Sequence, residues 1–366
     1  MEATAPRPFT RSQTTQFQQA LLAWFRIHAR ELPWRGTRDL YRIWVSEIML
    51  QQTQVITVRD YYQRFLEQFP TLSSLAAADE QAVLRLWEGL GYYRRARQLH
   101  AAAKKIVAEH DGVFPETFPE VLALPGIGRY TAGAILSIGR DAPLPILEAN
   151  TIRLLSRLIA YRGATTSKEG QALLWQTAAA ILPTHEIGQF NQALMELGSL
   201  LCTPREPQCG ACPAVRLCPT FKLGLQTSIP APKTPTRYEA AQEVALVLQR
   251  RDGQVLLRQH PATERWAGMW DFPRFAKEGS SEEGISQSIL THTGQHVAHW
   301  QQLATLKHGV TRFRITLDVL FAKLPSVQNK RLPKTADYCW STIPQLADIA
   351  LNTTGRKIAK LLSNLL

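Results

Sequence analysis

The stretch "LPGIGRYTAGAIL", Leu124–Leu136, decides how the first two thirds of the chain read. Leu-Pro-Gly-Ile-Gly ends one helix, turns tightly and starts another. Gly126 and Gly128 permit the turn and leave backbone N–H groups uncovered. A helix N-terminus presented in that way binds phosphate through its free N–H groups and the positive end of its dipole. Such a helix–hairpin–helix grips a nucleic-acid backbone without reading its sequence. A plain turn between two helices has the same outline, so the flanking sequence has to decide.

The flanks favour the nucleic-acid reading. The chain carries 42 Lys and Arg against 30 Asp and Glu, a formal net charge of +12. That surplus suits a polyanionic partner. Solubility alone can also explain it, but these cations fall beside aromatics and glycine turns. From Thr14 to about Lys222 the apolar residues recur at helical spacing: Phe17, Leu21, Trp24, Phe25 and His28; Phe65, Phe69, Leu72 and Leu75; Ile152, Leu155, Ser156 and Ile159. Loops such as "ELPWRGTRD" and "EGLGYYRR" punctuate them, and the region reads as all-helical.

Residues 227–237, "TSIPAPKTPTR", hold three prolines and no apolar periodicity, and read as a linker. The domains expected are thus 1–226 and 238–366, in keeping with a length of 366 residues. Beyond the linker, "EVALVLQ", "RDG" and "QVLLRQH" read as strand, turn and strand. "TRFRITLDVLFAKL" alternates over part of its length, and residues 281–293 read as a helix between. The last third is α+β.

Four of the five cysteines, Cys202, Cys209, Cys212 and Cys218, form a C-x6-C-x2-C-x5-C cluster. Clustered thiolates wrap one soft metal centre, zinc or an iron–sulfur cluster, and spacing alone does not choose. They point to a reducing compartment rather than a disulfide framework. Cys339 stands apart and reads as a small buried hydrophobe. The N-terminus has no apolar signal region, and no stretch is long enough to span a bilayer, so a soluble cytoplasmic protein is expected.

The hairpin, a carboxylate some way downstream and the cysteine cluster together resemble the endonuclease III superfamily of DNA base-excision glycosylases, and within it the adenine DNA glycosylases. The likeness rests on "LPWRGTRDLYRIWVSEIMLQQTQV" (32–55), "LWEGLGYYRRARQLH" (86–100) and "FNQALMELGSLLCTP" (190–204). The last third resembles the MutT-like module of these enzymes, chiefly at "WAGMWDFPRF" (266–275). The resemblance implies an all-α helix–hairpin–helix glycosylase domain with an iron–sulfur loop, followed by an α+β Nudix-like domain. It implies a [4Fe–4S] cluster on the four cysteines. It also implies a monomer acting on double-stranded DNA that holds adenine opposite 8-oxoguanine or guanine.

Chemistry gives the site its logic. Adenine leaves deoxyribose readily only if the base is protonated and the sugar cation is stabilised, a two-carboxylate task like glycoside hydrolysis. The base must first be extruded from the duplex. Glu47, in the apolar run "WVSEIML", sits where burial raises a carboxyl pKa toward a proton donor's range. By resemblance it protonates adenine at N7 and assists the attacking water. Tyr130 stands where bifunctional relatives carry lysine, and a phenol forms no imine. Glu148 takes the place of the family's aspartate in "PILEANT", where Ala149 also replaces glycine. Its charge suits an oxocarbenium-like sugar, but its stem is one methylene longer. Asn150 is expected to hold Glu148 or a water.

The same resemblance puts Trp34, Arg35, Leu50 and Gln192 around the adenine. It gives Gln52 and Tyr92 the role of wedges in the base stack. A core aromatic is the plain alternative for Tyr92. In the last third, Thr291 and His292 replace the acidic pair of the Nudix metal box, which argues against pyrophosphate hydrolysis. Val310, Thr311 and Arg312 occupy the slot of the lesion-reading loop, with Thr311 and Arg312 as its polar contacts. Two other functions fit parts of the sequence: a thymine mismatch glycosylase, and a lesion-binding protein whose turnover is impaired by Glu148.

Overall fold

The structure is a computed structural model that describes residues 9–232, 237–277, 281–297, 299–324, 332–334 and 337–365. Residues 233–236 of the expected linker lie outside the described residues. The chain divides into two compact units, Met1–Ala76 with Ala101–Thr234, and Ala77–His100 with Pro235–Leu366. Residues 77–100 thus group with the residues beyond the linker. The reason is a set of long-range polar contacts: the Gln81 amide donates to the Gly268 carbonyl, Arg85 to that of Ala347, and Arg356 to both carboxylate oxygens of Glu88. Such pairings leave no trace in local sequence pattern.

The first unit is helical throughout its regular structure among the described residues. Its first helix, Arg11–His28, opens on a capping box in which Thr10 and Gln13 satisfy each other's backbone N–H. One face then buries Phe17, Leu21, Trp24 and Phe25 against Leu154, Leu155, Leu158, Phe190, Leu194 and Leu197. Truncating a fully buried aromatic such as Phe17 costs about 3–5 kcal/mol. The run from Phe65 to Leu75 is two helices rather than one. The helix Val55–Gln68 stops at Phe69 because Pro70 cannot continue it, and Leu72–Ala77 starts anew.

In the hairpin, Phe118–Leu122 precedes Arg129–Arg140. Gly126 sits at φ +79°, a left-handed conformation that L-residues rarely adopt, and Gly128 is the N-cap of the second helix. Both glycines and Arg129 are exposed. The first N–H groups of that helix have no partner within it.

Among the described residues the second unit is built on a seven-stranded sheet. Its strands are β1 (Glu239–Gln249), β2 (Val255–Gln259), β3 (Trp270–Asp271), β4 (Arg274–Ala276), β5 (Gln301–Val310), β6 (Phe313–Lys323) and β7 (Tyr338–Ser341). The order is β3-β2-β1-β6-β5, with β4 on β1 and β7 on β2; β1 and β6 run parallel and the other pairs antiparallel. From Glu243 onward β1 is buried on both faces. Ala245 and Val247 point toward Ile358, Ala359 and Leu362 of the helix Thr353–Leu365. Val244, Leu246 and Leu248 face the core that includes Ile289 of the helix Glu282–Thr293. That double burial explains why "EVALVLQ" reads as a nearly continuous apolar run. Cys339, on β7, packs partly buried on the first of these cores.

Candidate active site

Glu47 lies on the helix Leu40–Leu50, whose start is capped by Asp39 accepting the N–H groups of Tyr41 and Arg42. Every residue from Ile43 to Met49 is buried, Glu47 at 5% exposure. Its Oε2 accepts a 2.7 Å hydrogen bond from the Tyr130 hydroxyl. Burial pushes the Glu47 carboxyl up to about 7; the nearby Glu148 charge adds to this and the Tyr130 bond opposes it. The same burial and the two carboxylates push the Tyr130 phenol well above its ordinary range.

Glu148 is the N-cap of the helix Ala149–Leu158, in extended backbone at φ −133° and ψ −178°. Its side chain curls back over the helix start. Oε2 accepts the Asn150 N–H at 2.8 Å and Oε1 the Thr151 N–H at 2.9 Å, while Thr151 Oγ1 accepts the Glu148 N–H at 2.7 Å. The carboxylate thus keeps both oxygens on the helix start, as a capping residue does. Burial raises the Glu148 pKa, and the two N–H donors hold it back.

Asn150 supports Glu148 through its backbone, not its carboxamide. The side-chain oxygen instead accepts from Arg153 at 2.9 Å. Gly198 lets this helix start approach the helix Ile187–Leu200: a Cβ there would lie 2.8 Å from the Asn150 Cβ and 3.0 Å from its carbonyl oxygen.

Glu47, Tyr130, Glu148 and Asn150 line one cavity of about 170 Å³ together with Trp34, Arg35, Leu50 and Gln192. All eight residues assigned to catalysis and to the adenine pocket thus meet at one place. Trp34 is buried and packs edge-on against Tyr62, with ring centroids 5.4 Å apart.

A third carboxylate in the cavity wall, Glu196, escaped the sequence reading. It is 1% exposed and takes bidentate bonds from two arginines, Arg30 at 2.9 and 2.7 Å and Arg35 at 3.0 and 2.6 Å. Burial alone would raise its pKa, but these bonds overcome that and hold it at about 2. Its signal was available: a Glu within the apolar run "QALMELGSL", the same kind of signal that singled out Glu47.

The four cysteines line a second cavity, with Arg157 and Gln226 among its walls. Arg157 donates to Cys202 Sγ at 3.3 Å. Burial pushes the Cys212 thiol up to about 12, with the neighbouring thiols adding to it, and raises Cys218 as well. Among the described residues no three such donors converge on a single ion. The four cysteines line one void, and thiolates are donors that a metal or iron–sulfur centre takes. Arg153 and Arg157 tie this loop to the Glu148 helix through the carbonyls of Cys202 and Thr203, and Arg153 also reaches that of Gly198 on the helix Ile187–Leu200.

The residues assigned to DNA contact belong to both units. Gln52 is exposed at φ +55°. Tyr92 is 56% exposed at φ +47°. Thr311 and Arg312 form the exposed turn between β5 and β6, where the Thr311 hydroxyl donates to the Val310 carbonyl and Arg312 pairs with Glu239 at 3.3 Å. No helix among the described residues is long and apolar enough to cross a membrane.

A helical unit with a hairpin beside a two-carboxylate cavity, followed by a sheet unit, defines a helix–hairpin–helix repair protein with a Nudix-type module. The family model "HhH-GPD superfamily base excision DNA repair protein" matches residues 45–179, and the NUDIX domain model matches 244–361. An adenine DNA glycosylase of Buchnera aphidicola subsp. Schizaphis graminum is 32% identical over 94% of this chain and 98% of its own length. Those of Mus musculus and Homo sapiens are each 32% identical, over 96% and 95% of this chain and 78% and 74% of theirs. A thermostable thymine-DNA glycosylase structure aligns at 26% identity and TM-score 0.53, over 58% of this chain and 98% of that one. A non-covalent endonuclease III–DNA complex shares the fold of the helical part, at TM-score 0.51 and 20% identity over 60% of this chain and 99% of that one. The chain belongs to the adenine DNA glycosylase family, and it is a base-excision repair enzyme.

Proposed function

We propose that this enzyme removes adenine paired with 8-oxoguanine or guanine, acting as a monomer on double-stranded DNA inside the cell. The observation that carries the reading is that Glu47 and Glu148 line one cavity, with Tyr130 bonded to the first. An extruded adenine enters this cavity. Glu47, protonated near neutrality, gives its proton to N7 through the oxygen that Tyr130 leaves free. The electrons of the C1′–N9 bond pass to the departing base. Glu148, held by two backbone N–H groups, faces the positive sugar that results. Water adds to C1′ and its proton returns to Glu47. No amine is needed, and Tyr130 offers none.

Trp34, Arg35, Leu50 and Gln192 enclose the base, with Gln192 presenting a carboxamide to its donor–acceptor edge. Gly126 and Gly128 offer N–H groups to a phosphate. Gln52 and Tyr92 enter the base stack. Thr311 and Arg312 read the opposite base. Cys202, Cys209, Cys212 and Cys218 hold a [4Fe–4S] cluster, which supplies no electron to a hydrolysis and serves to fix the loop. The domain division follows the same reading: a catalytic helical part to residue 226, a linker over 227–237 and a lesion-reading part from 238.

Single-turnover base release tests this on duplexes carrying A·8-oxoguanine, A·G and G·T, with the wild type and Glu148→Asp. Adenine release with A·8-oxoguanine fastest is expected. Thymine release from G·T without adenine release would replace the proposal with the thymine reading. A rate that rises in Glu148→Asp would mark the natural chain as a binder with impaired turnover.

A further inference from the structure

Tyr92 sits in an unusual loop. After the helix Glu80–Trp87, three of the next five residues have left-handed backbone: Gly89 at φ +98°, Gly91 at +71° and Tyr92 at +47°. For a tyrosine that conformation is strained, and it persists only when its surroundings over-determine it. Part of the restraint is local. Trp87 Nε1 donates to the Gly91 carbonyl at 3.3 Å, and Arg95 donates to the carbonyls of Leu90 and Gly91 at 3.3 and 3.2 Å.

The rest comes from the sheet unit. Arg356, on the helix Thr353–Leu365, grips Glu88 with two bonds of 2.6 and 2.9 Å. Its guanidinium is itself fixed by the carbonyls of Leu346 and Ile349. The Glu88 side chain is 8% exposed, so this ion pair is largely shielded from water. At the same helix start, the Thr353 hydroxyl lies 3.5 Å from the Tyr93 hydroxyl, which also meets the Gly89 N–H at 3.5 Å. Further up, Gly268 (φ +83°) packs against the helix Glu80–Trp87, where a Cβ would lie 3.2 Å from Glu80 and Leu84 atoms, and it accepts from Gln81.

We infer that the sheet unit is the bracket for the Tyr92 loop, with Arg356 and Glu88 as positioning residues that hold the wedge in its left-handed shape. The turn that reads the opposite base and the tyrosine that enters the stack then belong to one compact unit, and that unit takes part in extruding the adenine as well as in recognising its partner. This inference rests on the assignment of Tyr92 as a wedge.

The test uses the full-length, cluster-loaded chain and an A·8-oxoguanine duplex with 2-aminopurine at the neighbouring step, whose fluorescence rises on unstacking. Tyr92→Ala is expected to abolish the rise. Arg356→Ala and Glu88→Gln are each expected to weaken duplex binding and the rise by about tenfold, and the double variant to be no worse than Arg356→Ala alone, as members of one contact behave. The pH profile of adenine release should stay where Glu47 sets it, which a general loss of structure would not leave in place. Glu88→Gln keeps the carbonyl contacts of Arg356, so it carries the test if Arg356→Ala does not fold. Wild-type unstacking in both bracket variants, with loss in Tyr92→Ala, overturns the inference. An unchanged rise in Tyr92→Ala instead overturns the wedge assignment beneath it.

Discussion

The helix Leu40–Leu50 and the helix Ile187–Leu200 each put a buried carboxylate on the wall of the same cavity, and the two acids end at opposite extremes. Glu47 is pushed up to about 7 and Glu196 is held at about 2. Burial is nearly equal, at 5% and 1% exposure. Partners make the difference. Glu47 meets one neutral phenol and a like charge, whereas Glu196 meets two guanidiniums. A buried acid is a proton donor only where cations are withheld from it. The cavity thus holds one wall with a glutamate poised to keep its proton, the reactive wall of the proposed mechanism, and one with an ion-paired glutamate, the structural wall.

The largest expected effect is on the reactive wall. Glu47→Gln keeps the shape and removes the proton, so single-turnover adenine release should fall by roughly 10²–10⁴-fold. An undiminished rate would erase the contrast between the walls. Next is Glu196→Gln, which leaves Arg30 and Arg35 without their anion. Urea denaturation should show a loss of roughly 2–3 kcal/mol, less than for a fully enclosed pair because the Arg30 side chain is 33% exposed.

Glu148→Asp follows, with adenine release expected to drop about a hundredfold if the shorter stem shifts the charge by about 1 Å. Its thermal midpoint should barely move, since aspartate also caps helices well.

The pH dependence sharpens the comparison further. Glu47 has a folded pKa above its ordinary 4.5, so its contribution to stability is complete below 4.5 and is lost as pH rises through about 7. Glu196 is depressed, so its contribution is present above 4.5 and is lost as pH falls through about 2. Melting curves across pH should lose the upper slope in Glu47→Gln and the lower slope in Glu196→Gln. Adenine release should decline as pH rises through about 7. The smallest effect lies in the other unit: Arg312→Ala, at an exposed turn, should reduce the preference for 8-oxoguanine over guanine by only a few-fold.

Much of this was legible in the residues, and the gaps have physical causes. Local pattern carried the helices, the hairpin and the strands, because period and turn chemistry are short-range. It also marked Glu47, whose apolar neighbours adjoin it in sequence. It did not mark Glu196 as an arginine-paired acid, since Arg30 and Arg35 lie more than 160 positions away. Nor did it separate the backbone of Asn150 from its carboxamide as the support for Glu148, a distinction set by how one side chain curls. The attachment of residues 77–100 to the sheet unit involves distant partners such as Arg356, which looks like any surface cation in "TTGRKIAK".

In the proposed reaction, the phenol at position 130 fixes what the enzyme hands on. With no amine there to open the sugar, the reaction ends at an unbroken strand bearing a ring–aldehyde sugar with no base. Under that reading, cutting the strand is left to a separate activity. Tyr130, by leaving the backbone intact, makes this repair step safe only in company.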